Sequence, residues 1–170
     1  MEKRHVISVL VENKPGVLAR VSGMFSGRAY NIHSLSVAPT LSPDVSRMTV
    51  VTHGSDAIIE QIIKQLRKLI NIIKVQDLTL GDYVDREMAL VRVKATAAKR
   101  GDVLRIVDIF RGKVVDIAPD SMMVEITGGA GKIEAMIELL SPLGILELIR
   151  TGTVALPRGR KQTRYSEPSE

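Results

Sequence analysis

The spacing of hydrophobic and polar positions in the first half of the chain predicts four strands and two helices. Residues 6–11, 31–37, 46–53 and 72–79 are rich in β-branched residues or alternate between apolar and polar positions, as strands do. Apolar residues recur at helical spacing in residues 17–25 and 58–70. The predicted order is therefore strand, helix, strand, strand, helix, strand.

The second half repeats this order. Strands are predicted at residues 88–95, 113–118, 122–127 and 145–155, and helices at 101–110 and 133–140. The fold class is α+β, with two tandem ferredoxin-like βαββαβ domains at residues 1–80 and 86–156. Residues 81–85 are expected to be a linker, and residues 157–170, rich in proline, serine and charge, a disordered tail.

The strands carry apolar residues on both sides. In the first strand, Val6 and Leu10 lie opposite Ile7, Val9 and Val11. Helices on one face of a four-stranded sheet leave its other face and its edges uncovered. We therefore expect another domain or a second subunit to bury them.

The turn at residues 12–18 has unusual chemistry. We place Pro15 at the first helical position, where its missing N–H costs nothing, and expect Asn13 to hydrogen-bond within the turn. Gly16 has no Cβ, so a small carboxylate can approach the first free amides of the helix. The helix dipole adds about 0.3–2 kcal/mol to such binding. The alternative is an ordinary strand-to-helix turn.

Composition excludes several classes of function. The chain has no cysteine, which removes disulfides and thiolate chemistry and fits a soluble, cytoplasmic protein. No apolar run approaches the roughly 20 residues that a membrane span needs. Residues 157–170 account for +2 of the net charge of +5, so the rest of the chain has a mild positive excess rather than a basic face.

No catalytic, metal or nucleotide site can be built from the sequence. The loop at residues 128–132 resembles a phosphate loop, but isoleucine stands at both 126 and 133, where glycine and serine or threonine are needed. His5, His33 and His53 have no carboxylate or cysteine at ligand spacing. Nucleic-acid binding by the sheet is disfavoured, because Phe25 and Phe110 lie in predicted helices rather than on strands.

Several motifs together resemble one family, the regulatory small subunit of acetohydroxyacid synthase, also called acetolactate synthase. They are Glu-Asn-Lys-Pro-Gly-Val-Leu at residues 12–18, Gly-Arg-Ala-Tyr-Asn-Ile at 27–32, Ser-Val-Ala-Pro-Thr at 36–40, Ser-Arg-Met-Thr at 46–49 and Phe-Arg-Gly at 110–112. The resemblance runs from about residue 4 to residue 160. It implies that the first domain is an ACT domain, an amino-acid-binding form of the ferredoxin-like fold.

The resemblance also implies an allosteric site for L-valine between two ACT domains of a homodimer. Carried over by motif, the residues of one protomer are Asn13, Gly16, Val17 and Leu18. Asn31 and Ile32 of the other protomer would close the site. No role is transferred to the side chain of Lys14.

The implied function is regulatory. In this family the chain binds the large catalytic subunit, raises its activity and confers feedback inhibition by valine in branched-chain amino acid biosynthesis. Thiamine diphosphate, FAD and magnesium are expected on the catalytic subunit and no cofactor on this chain. A contact of Arg47 with the catalytic subunit is a further hypothesis. The alternatives are an ACT protein that senses amino acids for another partner, and a nucleic-acid-binding regulator.

Overall fold

The computed structural model describes residues 2–159, which divide into two compact units. Within the described residues, the first unit covers residues 2–84 and 155–159, and the second is Asp85–Val154. Each has the βαββαβ order, so the prediction of two tandem ferredoxin-like folds is confirmed.

The first unit is a four-stranded antiparallel sheet with the order β2-β3-β1-β4. Its elements are β1 (Lys3–Glu12), α1 (Val17–Ser26), β2 (Ser34–Pro39), β3 (Val45–Gly54), α2 (Asp56–Leu66) and β4 (Ile72–Asp77), followed by a short 3₁₀ turn (Leu78–Leu80). Side chains of alternate strand positions meet the apolar stripes of both helices, because strand and helix periods each place one face inward. The resulting core includes Ile7, Val9, Val21, Phe25, Val50, Ile62 and Leu66.

The second unit has the sheet order β6-β7-β5-β8, and β9 also pairs with β5. Its elements are β5 (Tyr83–Lys94), α3 (Arg100–Ile109), β6 (Lys113–Ile117), β7 (Ser121–Gly128), α4 (Ala130–Leu140), a 3₁₀ turn (Ser141–Leu143) and β8 (Ile145–Arg150). The last strand, β9 (Val154–Pro157), belongs to the first unit from Ala155 onward. Its core has the same layout as the first and includes Val91, Val93, Val107, Val124, Ile126, Ile133 and Leu140.

Part of the first sheet's second face is buried within its own unit. Val6 and Val51, which point away from the helices, pack with Leu78 of the 3₁₀ turn, with Ala155 of β9 and against Tyr83. At these positions the face is covered by other segments of the same unit, so the expectation that another domain or a second subunit covers it was wrong here.

Three predicted boundaries were wrong for identifiable reasons. The fourth strand ends at Asp77, whose side chain accepts a hydrogen bond from the Thr79 amide and so starts the 3₁₀ turn. The predicted strand 145–155 is broken at Gly152, whose φ of 82° cannot continue an extended strand. The second strand begins at Ser34 rather than at residue 31, so Asn31 and Ile32 precede it.

The ends of the predicted domains also differ. The predicted linker 81–85 overlaps β5, which begins at Tyr83. Pro157, expected in the tail, is the last residue of β9, and the Arg158 amide donates to the Asp82 carbonyl at 2.8 Å. The rest of the predicted disordered tail, residues 160–170, lies outside the described residues.

Candidate functional site

The turn before α1 is open because of the conformation of Gly16. Helix α1 begins at Val17, and Gly16 precedes it with φ 85° and ψ −10°, a left-handed conformation that favours glycine. Pro15 is therefore not at the first helical position, and that prediction was wrong. A Cβ on Gly16 would meet no atom within 4 Å, so the space above the turn is free.

The first turn of α1 keeps amide donors for a ligand. No side chain caps the helix, and the Arg20 amide makes the first helical bond, to the Gly16 carbonyl at 3.0 Å. Within residues 2–159, no partner outside the helix is recorded for the Leu18 and Ala19 amides. These amides and the helix dipole favour an anionic group at this end.

Asn13 ties this turn to the loop between β2 and β3. Its Nδ2 donates to the Pro43 carbonyl at 2.8 Å, and its backbone amide donates to the Asp44 carbonyl at 2.7 Å. The predicted hydrogen bonds within the turn are thus replaced by bonds to a loop about 30 residues away. Sequence spacing could not show this, because the partners are carbonyl groups that any residue offers.

A carboxylate beside the turn accepts two hydrogen bonds. Glu12 Oε2 accepts hydrogen bonds from Lys14 Nζ at 2.9 Å and from Asn71 Nδ2 at 2.6 Å. The bond from Lys14, followed by the bond from Asn71, lowers the pKa of Glu12 below its usual value. The charge of Lys14 is therefore matched locally by Glu12, which leaves the helix amides as the anion-binding groups of the turn.

The two remaining predicted residues lie at the other end of the sheet. The Asn31 carbonyl accepts a hydrogen bond from Thr52 Oγ1 at 2.7 Å, and Ile32 packs against the core. Glu12 pairs with Val45 at the opposite end of β3. Seven residues of extended strand separate Val45 from Thr52, or about 23 Å at about 3.3 Å per residue.

One chain therefore brings together four predicted residues and not the other two. Asn13, Gly16 and Leu18 are exposed at the turn, and Leu18 presents an apolar side chain beside it. Val17 is buried in the core, so only its backbone faces the turn. Asn31 is exposed at the distant end.

The strand that follows Asn31 and Ile32 lies at one edge of the first sheet. Strand β2 pairs only with β3 and contains no charged residue. The opposite edge strand, β4, carries Lys74 and Asp77. Charged residues on an edge strand discourage pairing with another chain, so β2 is the edge of this sheet that is suited to it.

The histidines lie close together at the Asn31 end of the sheet. The His33 and His53 rings have centroids 4.2 Å apart, and burial, followed by the charge of His33, lowers the pKa of His53. His5 is buried, with its Nδ1 3.0 Å from Asp77 Oδ2. Among residues 2–159, no group of three His, Asp or Glu side chains is placed to hold a metal ion.

The glycine-rich loop before α4 is occupied by the chain's own side chains. Lys132 Nζ donates to the Thr127 carbonyl at 3.0 Å. A Cβ on Gly129 would lie 3.2 Å from a carboxylate oxygen of Asp85, so an acidic side chain already lies at this helix start. The arrangement suits a structural turn rather than a phosphate site.

A surface cavity of about 470 Å³ in the first unit does not coincide with the predicted site. It is lined by Leu78, Leu80, Asp82 and Arg158 among others, and by none of the predicted site residues.

No helix within residues 2–159 is long and apolar enough to cross a membrane.

Comparison with known families agrees with this fold. Residues 7–74 match the model of the AHAS small subunit-like ACT domain, and residues 86–159 match the model of the small subunit of acetolactate synthase. The class of protein is therefore an ACT-domain regulatory subunit.

Relatives over the whole chain define the family further. The chain is 51% identical over 157 residues to the acetolactate synthase small subunit of Aquifex aeolicus, covering 92% of this chain and 82% of that protein. It is 50% identical over 157 residues to the Mycobacterium bovis small subunit, covering 92% and 94%. The crystal structure of the Thermotoga maritima small subunit aligns with a TM-score of 0.82 and 40% identity, covering 92% of this chain and 98% of that one. This chain belongs to the family of acetolactate synthase small subunits.

Proposed function

We propose that this chain activates the catalytic subunit of acetolactate synthase and makes the holoenzyme sensitive to feedback inhibition by L-valine. The small-subunit family supports the catalytic partner, and the open turn before α1 supports the effector site. The reaction itself, with thiamine diphosphate, FAD and magnesium, is assigned to the catalytic subunit. The absence of cysteine fits a cytoplasmic holoenzyme.

The observation that carries the effector site is the division of its residues between the two ends of the first sheet. No single copy can bring Asn31 to the turn at Asn13, because the two lie beside opposite ends of β3, and Val45 and Thr52 at those ends are about 23 Å apart. A second copy can do so if the two β2 edges pair about a twofold axis. A pairing centred on Ser36 sets Asn31 of one copy level with Leu41 of the other, in the loop whose carbonyls Asn13 binds.

The chemistry of this shared site suits a small branched amino acid. The carboxylate faces the Leu18 and Ala19 amides across the open side of Gly16. The apolar side chain lies between Leu18 of one copy and Ile32 of the other. One methylene changes the binding free energy by about 1–3 kcal/mol, so L-leucine is expected to bind more weakly than L-valine without being excluded.

Thermal unfolding of the full chain with L-valine, D-valine and L-leucine tests the site. A ligand at one hundred times its Kd stabilises the folded state by about 2.7 kcal/mol. We expect the largest rise in Tm with L-valine, a smaller one with L-leucine and none with D-valine. Equal shifts with both valine enantiomers, or no shift with either, would contradict a stereospecific site on this chain.

The regulatory role is tested separately by reconstitution. The purified chain is added to the large catalytic subunit, and acetolactate formation is followed with and without L-valine. We expect the chain to raise the rate and L-valine to lower it only when the chain is present. An unchanged rate, together with no co-sedimentation of the two chains, would contradict the proposed partner.

A further inference from the structure

Positive charge is concentrated on the helical side of the first unit. The sequence has no acidic residue between Glu12 and Asp44 or between Glu60 and Asp77. Two exposed cations on or beside the helices, Lys14 and Lys64, pair with carboxylates. In the described part of the chain, the other four exposed cations on or beside α1 and α2 have no such pair, and we call them the basic face: Arg20, Arg28, Arg67 and Lys68. The expectation that the body of the chain lacks a basic face is thus wrong for this surface, because a sum over the whole chain hides local clustering.

Two of the four side chains of the basic face are held in place by neutral groups. Arg28 donates to Gln65 Oε1 at 3.0 Å, and Arg20 donates to Asn71 Oδ1. Within residues 2–159, neither Arg67 nor Lys68 has an ion pair. The side-chain amides of Gln65 and Asn71 therefore orient the two guanidinium groups without neutralising their charge. The positive potential of the face persists.

The two nearest acidic residues do not cancel this potential. Glu12, which binds Asn71, also pairs with Lys14 at 2.9 Å. Glu60 pairs with Lys64 of the same helix at 2.7 Å. Each carboxylate is thus matched by a lysine outside the basic face.

An exposed apolar residue closely follows Arg67 and Lys68 in the sequence. Ile70 is 90% exposed and stands between Lys68 and Asn71, the residue that holds Arg20. Protein interfaces combine such apolar contacts with complementary charge. Single-stranded nucleic acid is instead bound by aromatic side chains stacked on bases, and none of the residues of the basic face is aromatic.

The helical side of the second unit shows that the charge does not follow from the fold. Cations and carboxylates alternate there, as in the pair of Arg105 with Asp102 at 3.5 Å. Arg150 binds Glu134 of α4. A basic helical side is therefore a property of the first unit alone.

We propose that the basic face is the docking surface of this chain for an acidic, partly apolar protein surface. The identification of that surface as part of the catalytic subunit rests on the proposed function. Arg47, the earlier candidate for this contact, lies on the other side of the sheet, is partly buried and donates to Ser8 Oγ at 2.9 Å. It is less available to a partner than the four cations of the basic face.

The basic face lies close enough to the open turn for docking to affect effector binding. The amide of Arg20 is bonded to the Gly16 carbonyl, so the basic face begins one helical turn from the open turn. A ligand that orders this turn also orders the first residue of the docking surface. Docking and effector binding are then coupled through their common dependence on the start of α1.

Association with the immobilised large subunit, measured at about 50 mM and about 500 mM salt, tests the docking surface. The variant is Arg67→Glu with Lys68→Glu. The matched control is Lys99→Glu with Lys113→Glu, which makes the same charge change at exposed positions of the second unit. Ile70→Ser tests the apolar contact without changing charge. Thermal unfolding with L-valine checks that each variant is folded.

We expect the Arg67/Lys68 variant to lose about tenfold or more in association rate at low salt, since electrostatic steering contributes about 10- to 1,000-fold. The control is expected to lose less than about twofold. Raising the salt should slow the unsubstituted chain toward the rate of the variant. Ile70→Ser should mainly raise the dissociation rate.

Other results would contradict the docking surface, the proposed function or both. Equal losses in variant and control, with the unsubstituted chain binding well, overturn the docking surface and leave the proposed function intact. No binding of the unsubstituted chain to the large subunit overturns both. Binding of a DNA or RNA duplex that Arg67/Lys68 reversal abolishes, with large-subunit association unchanged, assigns the face to nucleic acid and overturns protein docking.

Discussion

The turn between the first strand and the first helix is built differently in the two units. In the first unit, Asn13 ties the turn to the Pro43 carbonyl, and Gly16 leaves the helix start open. In the second, Arg100 makes the equivalent tie, donating to the carbonyls of Ala118 at 3.0 Å and Pro119 at 2.9 Å. The second turn has no glycine before its helix and is crossed by an arginine side chain, so the same topology gives two differently built helix starts.

The equivalent edge strands of the two units also differ, because only the second carries features that discourage pairing with another chain. Strand β2 of the first unit carries no charge, whereas β6 of the second carries Lys113 and Asp116 and has a register shift between Val114 and Asp116. Charges and bulges both discourage pairing between edges. The comparison teaches that the fold supplies the positions, while a few turn and edge residues set the first unit apart as the one proposed to bind a ligand and a second chain.

The largest effect is expected from the buried charge of the second unit. Glu87 is 5% exposed and is held by two bonds from Arg150, at 2.6 and 3.0 Å, which raise the pKa of Arg150. Arg150→Met leaves this carboxylate unpaired and should lower the free energy of unfolding by about 3 kcal/mol. Urea unfolding of the full chain measures it.

Arg92→Met is the control for that prediction. Arg92 pairs with the exposed Glu147 at 2.8 Å, and we expect a loss below about 1 kcal/mol. Similar losses from both substitutions would show that the burial of Glu87 is energetically unimportant. Valine binding should survive both, because the open turn is in the first unit.

Gly16→Asp should abolish the stabilisation by L-valine, about 2.7 kcal/mol at one hundred times the Kd. It places a negative charge in the open space that the carboxylate needs, at a φ of 85° that side chains rarely adopt. Gly101→Asp, at the start of α3, is the control and should leave the valine shift unchanged. A folded Gly16→Asp dimer with ordinary valine affinity would remove the turn from the site.

A lysine on β2 should convert this edge into one like β6. Val37→Lys places like charges on both strands of the proposed pairing and should weaken the dimer about tenfold, or about 1.4 kcal/mol. Val115→Lys on β6 is the control, since Val37 and Val115 are 42% and 47% exposed. Sedimentation velocity over a range of concentrations measures both. An unchanged dimer in Val37→Lys would place the interface elsewhere.

The smallest effect concerns the carboxylate beside the open turn. Because its bonds to Lys14 and Asn71 lower the pKa of Glu12, they contribute stability above its usual pKa of 4.5, and this is lost as the pH falls through the lowered value. Lys14→Met should raise the pKa of Glu12 in an NMR titration. Lys64→Met, which removes the partner of Glu60, should raise the pKa of Glu60 and not that of Glu12.

Much of the fold could be predicted from the sequence, because helix and strand periods leave a direct trace. The stripe of Ile59, Ile62 and Leu66 and the alternation of β3 were sufficient to predict both elements. The errors lie where one backbone angle or one side-chain bond decides, as at Gly152 and Asp77. Such local choices leave no periodic signal.

The site was harder to predict than the fold. Sequence identified Gly16 as the permissive residue, but it assigned Pro15 to the helix and gave no sign that Asn13 binds the Pro43 carbonyl. The distance between Asn13 and Asn31 follows from the register of β3 against β1 and the bond from Thr52, and register depends on pairing between distant residues. The basic face could not be recognised from the sequence, because it became visible only when the structure placed Arg20 and Arg28 on the same side of the sheet as Arg67 and Lys68.

The separation of Asn13 from Asn31 along β3 also links the proposed effector site to the abundance of the protein. A site divided between two copies exists only where two copies meet. At concentrations below the dimer dissociation constant, the number of sites rises with the square of the monomer concentration. In the proposed dimer, L-valine responsiveness therefore depends on gene dosage as well as on valine, and each bound valine in turn holds two copies together.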